Sequence, residues 1–395
     1  NARVSEILKA QNKQMLVWDE AVHESLPKDT LVQAWRGMTA RDAAVARGHK
    51  CIVSSPYYLD LFYSSDMHTQ FAPLLPLDES VRREDAMLPD ERLSHVAGGL
   101  EWTRQWRDRA DDLAAGDSWS VRLKENVIGA EACLWSELVD ENLLDVRLWS
   151  RMPLLAELFW CGAVDDARYT RTAYSLRSWH ALGGPRFACV TGAPLSSDQL
   201  DLLAPLGITS DIAELLGVLE PSKWYSRLLG AKALAARLEG SEMPQARPYD
   251  TKTPLRSVAC VISPQSMACA EFAELLERWG EAPLTKEDTH QLRDWIVGWG
   301  SQAGALKGLK VKDEAAEALR ELADRLQRFS AVLAFLFEGW AGRAFDHEAA
   351  LELLTQKSKL PKQLEKLAVP VGELMLAPVL TLLAAINQRL ALPAD

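Results

Sequence analysis

The sequence predicts an α/β domain followed by an α-helical domain, and three observations lead to this prediction. Short apolar runs alternate with helical patterns over residues 1–182. The runs are continuous rather than alternating, which is typical of parallel strands covered on both faces. After about Pro185 only helical patterns follow. We therefore expect a βα sheet or barrel in residues 1–182, and a linker with a helical domain in residues 183–395.

Four apolar runs mark the predicted strands of the first domain, at residues 15–18, 31–35, 50–54 and 127–133. A helix is predicted over residues 39–47, ending at Gly48, and an amphipathic helix over residues 148–160. A long insertion rich in charge and tryptophan separates the third and fourth runs, with a helix predicted over residues 100–113. Such a connection in a barrel usually shapes the substrate cleft or a subunit contact.

The second domain shows helical periodicity in five stretches, at residues 267–279, 289–302, 314–337, 347–356 and 374–390. Five prolines punctuate the link that precedes them, between residues 205 and 254. The pattern indicates a separate all-α domain.

Composition excludes several classes of function. The 395 residues carry a net charge of −11, which argues against a nucleic-acid surface. No apolar run reaches the roughly 20 residues that a bilayer span needs. The six cysteines form no Cys-x-x-Cys pair and the seven histidines show no metal-ligand spacing, so we expect neither a metal nor another cofactor.

Tryptophan is the unusual residue, with 14 in the chain and nine before residue 180. Flat indole faces suit the C–H faces of pyranose rings, although core packing is the commoner role for any single tryptophan. Polar and aromatic residues also cluster directly after the predicted strands. In a TIM barrel, that edge of the sheet is the active-site face.

Four segments resemble, in order, the second half of the barrel of glycoside hydrolase family 20, the β-N-acetylhexosaminidases. They are Val17-Trp18-Asp19-Glu20; Val32-Gln33-Ala34-Trp35-Arg36-Gly37; Ser55-Pro56-Tyr57-Tyr58-Leu59-Asp60; and Gly129-Ala130-Glu131-Ala132-Cys133-Leu134-Trp135-Ser136-Glu137, followed by Leu148-Trp149-Ser150-Arg151. The resemblance implies the second half of a (β/α)8 TIM barrel in residues 1–182, followed by the all-α domain. A weaker match to bacterial members lies at Leu219-Glu220-Pro221-Ser222-Lys223.

The resemblance implies exo-hydrolysis of terminal N-acetylglucosamine or N-acetylgalactosamine by a substrate-assisted retaining mechanism, an exception to the usual two-carboxylate scheme. By this resemblance, Trp18, Trp35 and Trp135 form an aromatic box around the 2-acetamido group. Tyr58 is the expected catalytic residue, because its hydroxyl can donate to the acetamide oxygen. Asp60 and Glu137 are expected to accept hydrogen bonds from sugar hydroxyls.

Other residues near these motifs are expected to have structural roles. Trp149 and Trp160 are predicted to pack a helix against the barrel. Tyr57 should face away from Tyr58, since neighbours in a strand point oppositely. Glu131 sits inside an apolar run and is expected to be paired, and Asp19 is assigned a structural role with a site role left open. His68, in the long insertion, is the one histidine considered as a ligand contact.

The family signature His-x-Gly-Gly-Asp-Glu is not found in this sequence. In the family, its Asp holds the acetamide nitrogen and its Glu is the general acid. Asp19-Glu20 is an adjacent carboxylate pair without that lead-in. We therefore expect the catalytic pair to lie upstream, outside this chain. The expected partners are glycans ending in an N-acetylhexosamine, and either the N-terminal half of the same barrel or a second copy.

Three other hypotheses remain open. In the first, the chain is a non-catalytic homologue that binds N-acetylhexosamine. In the second, it is a structural module whose helical domain mediates assembly. In the third, it is an unrelated barrel enzyme that matches all four segments by chance. The resemblance to bacterial members implies a periplasmic or other extracytoplasmic location. The natural glycan, the linkage and the preference between gluco and galacto sugars do not follow from the sequence.

Overall fold

The computed structural model describes residues 2–63, 65–87, 119–136, 138–161, 197–208, 212–222, 255, 257–306, 314–356 and 359–391. The chain folds into two compact units. Unit 1 comprises Asn1–Val139, Arg151–Thr172 and Lys223–Thr253, and unit 2 comprises Asp140–Ser150, Ala173–Ser222 and Pro254–Asp395. The predicted boundary between residues 182 and 183 lies outside the described residues and stays a prediction.

The described strands are β1 (Leu16–Trp18), β2 (Leu31–Ala34), β3 (Cys51–Val53), β4 (Val127–Ala130), β5 (Leu219–Pro221) and β6 (Leu374–Leu376). The described helices are α1 (Ala2–Ala10), α2 (Met38–Ala46), α3 (Ser65–Thr69), α4 (Leu77–Met87), α5 (Trp119–Asn126), α6 (Leu144–Leu148), α7 (Met152–Cys161), α8 (Ser197–Leu203), α9 (Ala213–Gly217), α10 (Val258–Val261), α11 (Met267–Glu281), α12 (Lys286–Ala305), α13 (Glu314–Trp340), α14 (His347–Gln356), α15 (Lys359–Ala368) and α16 (Ala377–Ala391).

The sheet of unit 1 is parallel, with its strands in the order β1-β2-β3-β4. Leu16 pairs with Leu31 and Val32 pairs with Cys51, so neighbours in the chain are neighbours in the sheet. All four predicted strands are confirmed, each somewhat shorter than its apolar run. The side chains of Val32 and Ala34 are fully buried in a core that includes α2.

Helix α2 shows why this part of the chain folds as the sequence predicts. Ala40 and Ala44 are buried on it, and such small side chains let a helix lie close to a sheet. The helix ends just before Gly48, whose φ of +79° is the left-handed conformation that glycine adopts without strain. The predicted end of the helix is therefore confirmed.

The helix predicted over residues 148–160 is confirmed from Met152 onward as α7, but its predicted first residue, Leu148, is the last residue of α6. Helix α6 ends at Leu148 and α7 begins at Met152. Between them, the guanidinium of Arg151 is fully buried and donates to the carbonyls of Leu61 and Tyr63 at 2.7 and 2.8 Å. A buried cation with backbone partners fixes this break, and hydropathy does not reveal it.

The packing predicted for Trp160 is also wrong, because its side chain is 92% exposed at the end of α7. Trp149 is half-buried. The helix predicted over residues 100–113 lies outside the described residues.

Unit 2 contains the five predicted helical stretches, but it is not all-α. Strand β5 pairs with β6 in an antiparallel sheet, with Leu219 opposite Leu376. The apolar residues of β6 run directly into α16, so the sequence predicted one continuous helix from residue 374. Among the described residues, no helix is both long enough and apolar enough to cross a membrane.

Aromatic side chains form much of the core of unit 2. Phe272 of α11 contacts Trp299 of α12 and Phe329 of α13, with ring centroids 5.8 and 6.3 Å apart. Each of these three side chains is at most 3% exposed. A capping box between Thr285 and Asp288 begins α12. Buried ring contacts of this kind stabilise the helical unit.

Candidate active site

The structure brings Trp18, Trp35 and Trp135 together at the carboxyl ends of the strands. Trp18 is the last residue of β1, Trp35 follows β2, and Trp135 lies beyond β4. The ring of Trp18 lies 6.5 Å from that of Trp35, at 79°, and 6.4 Å from that of Trp135, at 41°. Rings inclined in this way do not stack on one another, and we refer to these three residues as the tryptophan recess.

Two of these tryptophans expose much of their surface. Trp18 is 43% exposed and Trp135 is 47% exposed, whereas Trp35 is half-buried. Large indole faces left in contact with water lose the free energy that burial gives a core tryptophan. An exposed cluster of this kind, at the sheet edge where βα folds bind their substrates, is a candidate ligand site.

Trp35 is held by hydrogen bonds at its indole, at its backbone N–H and at its backbone carbonyl. Its indole Nε1–H donates to both carboxylate oxygens of Glu20 at 3.0 Å. Its backbone N–H donates to Asp19 Oδ2 at 2.8 Å, and its carbonyl accepts from the Tyr58 hydroxyl at 3.1 Å. Residues that follow β1 and β3 therefore fix the aromatic residue that follows the strand between them.

Asp19 has the structural role assigned to it. Its side chain is fully buried, and one oxygen accepts from Arg36 Nε at 2.5 Å. The other oxygen accepts from the backbone N–H groups of Trp35 and Arg36. Burial raises the pKa of this carboxyl, while the backbone N–H of Trp35 and the Arg36 guanidinium oppose the rise.

Tyr58 and Asp60 reach the same sheet edge, and each already has a protein partner. The Tyr58 hydroxyl donates to the carbonyl of Trp35, and burial raises the pKa of that hydroxyl, so it remains a donor. Asp60 is 6% exposed, and its Oδ1 accepts from the backbone N–H of Trp135 at 3.2 Å. Glu137, the third predicted polar contact, lies outside the described residues.

Glu131 is paired, as expected. Its Oε1 accepts from Ser54 Oγ at 3.0 Å and from the side-chain amide of Gln33. Cys133 lies beside it, and burial, with the Glu131 carboxylate, raises the pKa of that thiol to about 12. A thiol of this kind is not a nucleophile near neutral pH.

A buried aromatic layer involves the segment that carries Asp60. Tyr57 is fully buried and faces away from Tyr58, as predicted, with its hydroxyl donating to the carbonyl of Phe71. The His68 ring lies 6.3 Å from Tyr57 and 6.0 Å from Tyr63. Because His68 is fully buried, the idea that it approaches a ligand is wrong.

Sequence reasoning set Glu20 aside as part of a carboxylate pair without the family lead-in. In the structure, its carboxylate accepts a hydrogen bond from the indole N–H of Trp35. Its position directly after a strand was the signal available, because the carboxyl ends of all parallel strands lie at one edge. The contact between Gln33 and Glu131 likewise does not follow from the sequence pattern.

The sequence profile described as "Glycosyl hydrolase family 20, catalytic domain" matches residues 1–163. Residues 1–163 are therefore similar to the catalytic domain of this family. The resemblance based on the segments from Val17 to Glu137 is thereby confirmed. Every residue of the tryptophan recess lies within the matched region.

Curated relatives match a similar length of the chain. "Beta-hexosaminidase 1" of Coccidioides posadasii is 28% identical over 173 residues, which are 41% of this chain and 28% of the relative. "Beta-hexosaminidase subunit beta" of Homo sapiens is 25% identical over 183 residues, which are 45% of this chain and 26% of the relative. The chain therefore spans about a quarter of the length of these family 20 relatives.

A solved structure extends the similarity beyond the matched region. The chitobiase of Flavobacterium johnsoniae superimposes with a TM-score of 0.64 at 17% identity, covering 98% of this chain and 49% of that chain. At this identity the likeness shows the fold alone. It indicates a TIM-barrel-like α/β fold with additional helices.

Proposed function

We propose that this chain is the substrate-binding part of a β-N-acetylhexosaminidase that releases terminal N-acetylglucosamine or N-acetylgalactosamine. The observation that carries the proposal is the recess of Trp18, Trp35 and Trp135, with its two exposed indoles. The names of the curated relatives, all of them hexosaminidases, support the same chemistry.

The recess fits an acetamide better than a hydroxyl group. The methyl and planar amide of a 2-acetamido group match three inclined indole faces. Enclosing that group holds its oxygen near the anomeric carbon, which raises its effective concentration for intramolecular attack. The sugar then acts as its own nucleophile through an oxazoline-type intermediate, in the substrate-assisted scheme proposed for this chain.

The polar residues have distinct proposed roles in this scheme. The Tyr58 hydroxyl exchanges the carbonyl of Trp35 for the acetamide oxygen and stabilises the charge that develops there. Asp60 and Glu137 accept hydrogen bonds from the sugar hydroxyls at positions 4 and 6. Asp60 also accepts from the backbone N–H of Trp135, so its second proposed function is to fix the position of the Trp135 ring.

The general acid and the carboxylate for the acetamide nitrogen are proposed to come from another part of the barrel. The signature that carries them is not found in this sequence, and the Glu20 carboxylate is bound to Trp35. Within the described residues, β1 and β4 are the outer strands of the sheet. Such open edges invite another segment to pair with them.

Exposed apolar side chains accompany both of these edge strands. Ile7 of α1 and Leu16 of β1 are 55% and 47% exposed, and Val121 of α5 and Ile128 of β4 are 52% and 48% exposed. Apolar surface on both flanks favours burial against further barrel segments. We propose the N-terminal half of the same barrel as that partner, with a second copy of the chain as the competing outcome.

The test compares this chain with the longest polypeptide from the same reading frame. Calorimetry measures binding of N-acetylglucosamine and of glucose, and an aryl N-acetyl-β-D-glucosaminide reports hydrolysis. We expect this chain to bind N-acetylglucosamine in preference to glucose without turning the aryl substrate over, and the longer polypeptide to hydrolyse it. Robust hydrolysis by the 395-residue chain contradicts an acid located elsewhere. Binding without turnover by both polypeptides supports a non-catalytic homologue instead.

A further inference from the structure

The anchoring of Trp35 differs from that of the other two tryptophans in the recess. Its backbone is fixed by Asp19, which accepts from the N–H groups of Trp35 and Arg36, and in the ligand-free chain also by Tyr58 at the carbonyl. The remaining freedom of the residue is rotation of the side chain. The Glu20 carboxylate accepts the indole N–H with both oxygens at the same distance, 3.0 Å, and so controls that rotation.

A carboxylate is well suited to this task. A hydrogen bond to an ionised acceptor is stronger than one to a neutral acceptor, and indole has a single N–H to direct. The Glu20 side chain is exposed, while the indole that it contacts is half-buried. The acceptor can therefore hold the ring plane without adding a charge to the apolar faces of the recess.

The ring plane of Trp35 determines the shape of the recess. Trp35 stands at 79° to Trp18, and Trp18 in turn is inclined at 41° to Trp135. If the indole of Trp35 rotated, the angle between the Trp35 and Trp18 rings would change even though Trp18 itself stayed in place. The wall of the recess formed by Trp35 would then move. The fit to a planar acetamide group depends on that wall, whereas the fit to a small hydroxyl group does not.

We propose that Glu20 is a positioning residue that determines specificity. By fixing the indole of Trp35, it makes the recess select 2-acetamido sugars over 2-hydroxy sugars. The inference rests on the proposed function of the recess. Its first test needs no ligand, so the two can fail separately.

The ligand-independent test uses the indole N–H of Trp35, assigned in ¹⁵N-labelled chain by its disappearance in Trp35→Phe. We expect slow hydrogen exchange at this group in the wild type. Exchange should accelerate about tenfold or more in Glu20→Ala, as loss of a charge-assisted hydrogen bond predicts, and should be intermediate in Glu20→Gln, which keeps a neutral acceptor. Glu24→Ala, which removes an exposed carboxylate from the same loop, is the matched control. Equal exchange rates in the wild type and Glu20→Ala overturn the positioning role.

The second test is a double-mutant cycle on the preference for N-acetylglucosamine over glucose. Glu20→Ala should reduce this preference about tenfold in the wild-type background and leave it unchanged in Trp35→Phe, because its effect passes through the indole N–H. A loss of preference that is equal in both backgrounds overturns the inference. If the wild type shows no preference for N-acetylglucosamine, the proposed function and the specificity role fail together, while the exchange result still decides whether Glu20 positions Trp35.

Discussion

The two units use aromatic side chains in opposite ways. In unit 2, Phe272, Trp299 and Phe329 contact one another with little or no exposed surface. In unit 1, Trp18 and Trp135 lie at similar ring separations and each exposes more than two-fifths of its surface. Ring contact alone therefore does not distinguish a core from a site. What distinguishes them is whether the remaining face of the ring is covered.

The largest effect that this contrast predicts is on stability. Phe272→Ala removes a fully buried ring with three aromatic neighbours and should lower the free energy of unfolding by roughly 3–5 kcal/mol. Chemical denaturation followed by fluorescence measures the change. Val297→Ala on neighbouring α12, at a side chain that is 73% exposed, is the control and should be nearly neutral. Equal losses for the two variants would remove the distinction between core and surface in unit 2.

The next effect concerns the buried support of the site segment in unit 1. Arg151→Met keeps most of the side-chain volume but removes the donors to the carbonyls of Leu61 and Tyr63. We expect a loss of roughly 2–4 kcal/mol, because buried backbone acceptors lose their partner. Arg82→Met, at an exposed ion pair with Glu79, should leave the denaturation midpoint in place. An unchanged free energy of unfolding in Arg151→Met would show that water replaces the guanidinium.

Replacement of an exposed tryptophan should reverse the pattern seen for Phe272. Trp135→Ala should weaken N-acetylglucosamine binding about ten- to a hundred-fold, as expected for an aromatic hot-spot residue, with little change in stability. Titration calorimetry and thermal unfolding on the same sample separate the two readouts. A large loss of stability with unchanged affinity would make Trp135 a packing residue like Trp299.

The smallest effect is a pH dependence of stability. Burial, followed by the Arg151 guanidinium, lowers the pKa of His68 well below 6.5. The unfolded chain takes up a proton near pH 6.5 while the folded chain stays neutral, so the stability that His68 contributes above pH 6.5 is lost as the pH falls. The slope from this group is up to about 1.4 kcal/mol per pH unit. His68→Phe should flatten the slope below pH 6.5, and His290→Gln, at an exposed side chain, should not. Identical slopes for wild type and His68→Phe contradict the neutral, buried histidine.

The fold of unit 1 could largely be predicted because each parallel strand is a continuous apolar run. Val32 and Ala34 on β2 are buried on one face of the sheet, with the half-buried Gln33 between them. The sheet of unit 2 could not, because β6 becomes a strand only by pairing with β5, which lies more than a hundred residues earlier. Its Leu374-Met375-Leu376 sequence fits a helix equally well, and only the distant partner decides between the two.

The candidate site was predictable in its residues but not in its contacts. Strand-end position and family resemblance together identified Trp18, Trp35 and Trp135. Neither predicts that Asp60 accepts from the backbone of Trp135, or that the Tyr58 hydroxyl donates to the carbonyl of Trp35. Such contacts join residues in loops that follow different strands. Their geometry depends on the conformations of those loops, which periodicity does not encode.

The sequential strand order of unit 1 has a consequence for the kinetics of folding. Residues 19–30 separate β1 from β2 and residues 35–50 separate β2 from β3, but residues 54–126 separate β3 from β4. Treated as a flexible chain, the longest of these connections costs roughly 1.5 kcal/mol more entropy to close than the shortest. Non-local pairings of this kind form slowly, so we expect β4 to join the sheet last. The wall carried by Trp135 would then be added after those carried by Trp18 and Trp35, and the completed recess would mark the final step of sheet assembly.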